Sequence, residues 1–289
     1  MIFSGFGTKI AIALLLLNIF VWHAVIKESS KGVLTVVFLN VGQGDAIFIE
    51  SPSGNQMLID GGPSRVVLRE LGKVLPFYDR KLDVILATHP DRDHIGGLPL
   101  VVRRYDVGHV LESDVFSDSG YSQALEDEIG RKKINKIESE RGMVLDLGGG
   151  AYFQIFFPDR GVSAVNTNDA SIVGKLVYGN ISFILSGDSP KKIEEYLVYL
   201  DAGALDADVL KVGHHGSRTS SSESFIRAVS PQFAVISAAK DNNYGHPHKE
   251  VTEVLRKNFV ETLNTGDTGR IIMKTDGVKL WLESKKWLR

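Results

Sequence analysis

The 289-residue sequence contains no cysteine, which removes disulfides and thiolate ligands together. Any metal must then be held by His, Asp, Glu or backbone oxygen. An excess of either charge is also lacking: 33 Lys and Arg face 35 Asp and Glu, a formal net charge of −2. That excludes a chain that grips nucleic acid over its whole surface, though not one with a local basic rim. There is no long linker and no low-complexity run, so length and composition fit one large domain. Long hydrophobic runs are limited to one, Ile10 to Ile26, broken only by Asn18 and His23. Its 17 residues fall short of the ~20 of a comfortable membrane span and exceed the ~7–15 of a signal-peptide core. Lys9 precedes it, Lys27, Glu28 and Lys31 follow, and Trp22 and His23 suit an interface. The favoured reading is an uncleaved anchor; a removed signal peptide and a buried core helix are the alternatives. Residues 1–31 are read as that segment and 32–289 as the folded domain, which a single N-terminal anchor leaves outside the cytoplasm.

What is present is a dense polar motif. Leu82 to Ala87 is an apolar, β-branched run that reads as a buried strand, and it ends in Thr88-His89-Pro90-Asp91-Arg92-Asp93-His94-Ile95-Gly96-Gly97. Two imidazoles and two carboxylates lie within six residues. Crowding like charges in this way is unfavourable without a cation, and mixed N and O ligands suit Zn, Mn or Fe.

Other runs are organised in the same manner. Val33 to Leu39, Ala46 to Glu50 and Gln56 to Ile59 read as an antiparallel meander whose ends gather Asp45 and Asp60. Helical spacing covers Arg65 to Leu75 and Gln123 to Lys136, and Lys136 to Val144 reads as part of a second sheet. Tyr152 to Phe157 is a strand, and Ile172 to Tyr178 and Ile181 to Ser186 form a hairpin about Gly179-Asn180 that runs into Asp188. Lys191 to Leu200, Ser220 to Val229 and Glu250 to Phe259 read as helices. Asp208 to Val212 and Phe233 to Ser237 are strands opening onto His214-His215 and His246-Pro247-His248, and the last thirty residues read as short strands around Gly266, Gly269 and Gly277. Six of the eight histidines directly follow predicted strands, which places them on one rim of an α/β (α+β) fold, a four-layer αββα sandwich behind the N-terminal hydrophobic helix.

These motifs carry a resemblance. Phe38 to Ala46, Leu58 to Gly62, Thr88 to Gly97, Asn168 to Ser171, Leu185 to Asp188, Leu210 to Ser217 and Tyr244 to Pro247 resemble the metallo-β-lactamase fold, and within it the extracytoplasmic hydrolase domain of the ComEC competence proteins. The resemblance implies one or two divalent ions, Zn or Mn. It pairs His89 with Asp91 on the first, Asp93 with His94 on the second, and sets Asp188 between them. His214 is taken as the next ligand and His215 as a donor behind it or facing phosphate. Asp91 stands where most of the fold carries His, and the one histidine between His94 and His214 is His109, which precedes the expected position of the fold's separate His ligand, so Asn168 or Asp169 is taken as the substitute. This oxygen-richer set shifts the preference toward Mn.

The chemistry implied is metal-assisted hydrolysis. Asp93 and Asp188 orient the nucleophile, and His246 polarises the substrate or protonates the leaving oxygen. Ser217 and Arg218 are candidate substrate contacts, Arg218 sharing a basic rim with Arg65, Arg92, Lys240 and Arg270. Ser220 to Ser222 either bind phosphate or cap the next helix. Asp45 and Asp60 are read as structural members of the rim, along with Asn168. The resemblance implies a nuclease acting on extracellular DNA during uptake, beside a separate channel protein because one hydrophobic run makes no channel. The alternatives are a surface phosphodiesterase acting on cell-wall phosphoesters and a metal-free binding module of the same fold.

Overall fold

The computed structural model describes residues 4–29, 32–115, 117–163 and 165–283, with the side chains of the first helix described from 7 to 22. That helix, α1 (Ser4–Ser29), carries the hydrophobic run, and its described side chains are all exposed, which overturns the buried-core-helix alternative. The spanning expectation is not supported either: among the described residues no helix is long and apolar enough to cross a membrane. The side chains from His23 to Lys31 lie outside the described residues.

The expected meander forms from β1 (Leu34–Phe38), β2 (Ile47–Glu50) and β3 (Gln56–Ile59), paired antiparallel. Next come α2 (Val66–Leu71), β4 (Lys81–Ala87), α3 (Arg92–Ile95), α4 (Leu98–Arg104), β5 (Asp106–Glu112), α5 (Gly120–Lys132) and β6 (Asn135–Glu138). Here β3, β4, β5 and β6 run parallel. The second sheet opens with the antiparallel β7 (Val144–Gly148), β8 (Ala151–Phe157), β9 (Val173–Tyr178) and β10 (Ile181–Leu185). It continues through α6 (Lys191–Asp201), β11 (Val209–Lys211), α7 (Glu223–Val229), β12 (Phe233–Ile236), α8 (Lys249–Lys257) and β13 (Glu261–Asn264), with β10 to β13 parallel. After α9 (Thr265–Thr268), β14 (Ile271–Thr275) and β15 (Leu280–Leu282) return to the first sheet.

Strand alternation builds the layers. Val36 and Phe38 point between the sheets, toward Phe153 and Phe183, while Val37 between them points to the helices of the first sheet. Leu98 and Val101 of α4 and Leu125 of α5 cover that outer face; Leu197 of α6, Phe225 of α7 and Leu255 of α8 cover the other. The result is the expected αββα stack, in which each fully buried Phe contributes about 1.5–3 kcal/mol.

Three local readings change. The helix read over Arg65 to Leu75 stops at Leu71, because Gly72 loosens the chain into tight turns from Lys73 to Leu75. The segment read as starting the second sheet at Lys136 divides: β6 pairs with β5 at the edge of the first sheet, and only β7 joins the second. Gly266 lies within the helical turn α9 instead of between strands, where Asn264 accepts a hydrogen bond from its N–H. Ser222, by contrast, does cap the helix that follows it, accepting from Phe225 N.

Candidate metal centre

The carboxyl ends of β3, β4, β10 and β11 meet on one rim, the place where parallel sheets present ligands. After β4, Thr88 and His89 emerge at the rim, and the turn α3 lifts Asp93 and His94 beside them, with His94 N bonded to Asp91 O at 3.0 Å. After β1, the loop 40–45 closes over Asp93: Asp45 N donates to Asp93 O at 3.2 Å. Gly44 is required there, since a Cβ would run into that same carbonyl oxygen. Beyond β11, His214 and His215 both adopt the left-handed conformation (φ 47° and 54°), which costs energy for residues with a Cβ and turns both rings to the rim.

Four imidazoles converge on one carboxylate. Asp188, 2 % exposed, has His94 Nε2 at 3.2 Å, His215 Nε2 at 3.5 Å, His214 Nε2 at 3.6 Å and His89 Nε2 at 4.0 Å. Asp91 Oδ2 stands 3.8 Å from His89 Nε2 and Asp93 Oδ2 stands 3.3 Å from His215 Nε2. Two ligands each about 2.1 Å from a tetrahedral ion are about 3.4 Å apart, so these spacings suit atoms sharing a cation better than atoms sharing a proton. The Nε2 atoms of His89, His94 and His215 and Oδ1 of Asp188 are buried without a hydrogen-bond partner. Orphaned polar atoms of this kind are costly, and a cation would satisfy all of them.

The opposite nitrogen of each ring is held from behind. His94 Nδ1 lies 2.7 Å from Asp60 Oδ2, and Asp60 also accepts from Thr88 N (2.8 Å) and Thr88 Oγ1 (2.7 Å). His89 Nδ1 meets Thr88 Oγ1 (3.0 Å) and Ser171 Oγ (3.3 Å), and His214 Nδ1 meets Thr219 Oγ1 (3.2 Å). His215 Nδ1 faces Asp45 Oδ1 at 3.4 Å, and Asp45 Oδ2 pairs with the fully buried Lys211 at 2.6 Å. Rings fixed in this way present Nε2 to a metal.

Electrostatics agrees with the geometry. Burial opposes charge on His94, but Asp188 and Asp60 outweigh it and hold the ring well above the usual imidazole range; Asp188 and Asp45 likewise push His215 up to about 9. Burial opposes the Asp188 anion as well, yet the surrounding imidazoles hold it well below the carboxylate range. His89 falls to about 4 through burial and repulsion from His94. The cluster thus draws positive charge to itself, a demand that a divalent cation meets.

Asp45, His94, Asp188 and His215 bring ligand atoms within 4.8 Å of one another. That differs from the sequence reading on two counts: His215 is the enclosed member of the pair where His214 had been taken, and Asp45 moves from the rim into the centre. With its oxygens against Lys211 and His215, Asp45 orients the ring more readily than it reaches a cation. Asp60 is likewise buried against His94, whereas Asn168 sits in a one-turn 3-10 segment with its Oδ1 buried and unpaired. Ser217 is 5 % exposed and its hydroxyl is bonded to Thr219, while Arg218 is exposed, 3.9 Å from Glu250. His246 accepts from Gln43 Nε2 at 3.2 Å beside the His214 and His215 rings, and burial with their charge lowers it to about 4. Sequence reasoning missed Thr88, Ser171, Lys211 and Gln43; a lysine inside an apolar strand was the one visible signal among them. Beside His89 opens a cavity of about 850 Å³ bordered by Glu112, Asp114, Asp118, Glu126, Asp127 and Glu138, with Lys136 the one base among them.

Residues 39–240 match the profile of the metallo-beta-lactamase superfamily. The chain is 32 % identical over 260 residues to ComE operon protein 3 of Bacillus subtilis (strain 168), covering 84 % of this chain and 33 % of the relative. It is 30 % identical over 240 residues to competence protein ComA of Neisseria gonorrhoeae, covering 82 % and 31 %. The chain therefore spans about a third of the length of these relatives. Among solved structures, Igni18, a metallo hydrolase of the archaeon Ignicoccus hospitalis, aligns with a TM-score of 0.54 at 14 % identity, covering 82 % of this chain and 98 % of that one; at this identity the likeness concerns the fold alone.

Proposed function

Because the chain belongs to the metallo-β-lactamase superfamily, whose hydrolase fold it shares, we propose that it is a metal-dependent phosphodiesterase acting on extracellular DNA during uptake. The observation that carries the hydrolytic reading is the convergence of four imidazoles on Asp188, with orphaned nitrogens aimed at the same space. The competence-protein relatives support DNA as the substrate.

In this reading Asp93, His94, His215, His89, Asp91, His214 and Asp188 are the residues that would hold one or two divalent cations, with Mn favoured over Zn by the three carboxylates. When bound, such ions lower the pKa of a water and neutralise charge on a phosphoryl oxygen. Asp93, partly exposed to the cleft, orients the attacking water. His246 is neutral at physiological pH, and with Gln43 donating to Nδ1 its proton sits on Nε2. It therefore polarises a phosphoryl oxygen by hydrogen bonding and does not deliver a proton as a cation. The acidic cavity beside His89 favours a second reading, a surface phosphodiester that carries a positively charged group, as phosphocholine does.

The full chain, stripped of metal and reloaded with Mn or Zn, separates these on plasmid, single-stranded DNA and a chromogenic phosphodiester. Metal-dependent DNA cleavage lost in Asp93→Ala is the expected result. Turnover of the small ester alone selects the second reading, and failure to take up metal leaves only a binding module.

A further inference from the structure

On the far side of the loop 40–45 lies a second hollow, about 380 Å³, bordered by Asn40, Val41, Gly42, Arg69, Lys73 and Arg270. In a chain with a net charge of −2, three bases around one hollow stand out. Their one acidic neighbour is Glu70, 3 % exposed, which pairs with Lys73 at 2.5 Å and Arg69 at 3.4 Å. Among the described residues Arg270 has no carboxylate partner, and its Nε is shielded from solvent and unbonded. A guanidinium so placed is set for a planar, charge-assisted contact with an oxyanion. Gly42 forms the crest of the loop at φ 87°, with open space where a Cβ would stand, so a ligand can approach the backbone there.

The loop also ties the hollow to the centre. One residue beyond Gly42, Gln43 bonds His246, and Asp45 anchors to Asp93 and faces His215. Three residues span at most about 10 Å, so the crest of the loop lies within a few nucleotides' reach of the centre. The cavity on the opposite side, beside His89, is acidic and repels a polyanion. A strand crossing the centre is therefore drawn toward Arg270 and away from β5 and α5.

We propose that the Arg69–Lys73–Arg270 hollow is a subsite for a non-scissile phosphate of a nucleic-acid strand, giving the centre its preference for polymeric over small phosphodiesters. The proposal rests on the phosphodiesterase reading of the centre, yet binding tests it separately. Binding of a fluorescently labelled single-stranded DNA to the full chain is followed across a salt series for wild type, Arg270→Gln, Lys73→Gln and Arg270→Lys. The glutamine variants are expected to bind about tenfold more weakly, with the log–log salt slope smaller by about 0.7 per lost phosphate contact, and Arg270→Lys to recover most of the slope. In turnover, the loss on DNA exceeds the loss on bis(4-nitrophenyl) phosphate by a similar factor. Unchanged affinity and slope, or equal losses on both substrates, overturn the subsite. Altered DNA binding in a protein that cleaves neither substrate keeps the subsite and rejects the phosphodiesterase reading instead.

Discussion

Two halves of the centre solve one problem with different charges. On the first sheet, Asp60 holds the His94 ring, and its remaining hydrogen-bonding capacity is filled by the neutral N–H and hydroxyl of Thr88. On the second, His215 faces Asp45, whose other oxygen is matched by the ammonium of Lys211, a side chain with no solvent exposure. The charge of Asp60 is thus answered by His94 alone, whereas that of Asp45 is already matched by Lys211 before His215 is counted. The backbone differs too: His94 sits in a regular turn, while His214 and His215 are consecutive left-handed residues. The half with the strained backbone is the one that employs a buried ion pair, so its geometry rests on more groups staying in place.

The comparison is broken most severely at its shared member. Asp188→Asn is expected to lower activity by more than about a hundredfold, beyond the 10–100-fold that groups behind a ligand command, and to empty both halves by metal analysis. Retained metal stoichiometry would refute the shared-carboxylate account. Next, Lys211→Met leaves buried Asp45 without its ammonium partner, with only His215 against it, and is expected to cost about 3–5 kcal/mol in chemical denaturation. Thr88→Val removes a neutral hydroxyl shared by Asp60 and His89 Nδ1 and should cost about 1–3 kcal/mol. The reverse order would show that the two pairs are not balanced as described.

Asp45→Asn and Asp60→Asn should each weaken metal binding about 10–100-fold in competition with a chromogenic chelator. Protons sharpen the same contrast. His94 and His215 are held above their ordinary range, His215 at about 9, so both carry protons in the metal-free protein at neutral pH. That favourable protonation is present below the raised values and is lost as pH climbs through them, so competition with the metal fades in the same direction. Metal affinity therefore rises from pH 7 toward 9, and calorimetry in buffers of different ionisation heat detects protons released on binding. Asp45→Asn should reduce that release. The smallest effect belongs to Ser217→Ala, less than about threefold in kcat/KM, because its hydroxyl already bonds Thr219.

Much of this was legible in the chain. The runs from Leu34 to Phe38 and from Lys81 to Ala87 read as strands because alternation and β-branching are local properties, and the polar motif from His89 to His94 stood out because its ligands are six residues from end to end. The edge strand β6 was given to the wrong sheet because which sheet a strand joins depends on its distant partner, here β5. Asp45 and Asp60 were marked as rim residues, since nothing nearby in the chain reveals that each faces an imidazole far away.

Most of the strands and helices, though not α4 or β5, the cysteine-free donor set and the four metal-competent side chains after β4 follow from the sequence alone, because hydrophobic period and residue chemistry are written in neighbouring positions. Tertiary structure alone decided that His215 is the enclosed imidazole and His214 the more open one, and that Lys211 neutralises Asp45. Adjacent residues in a strand-end turn differ in outlook only through backbone dihedrals, and those are set by what packs around them.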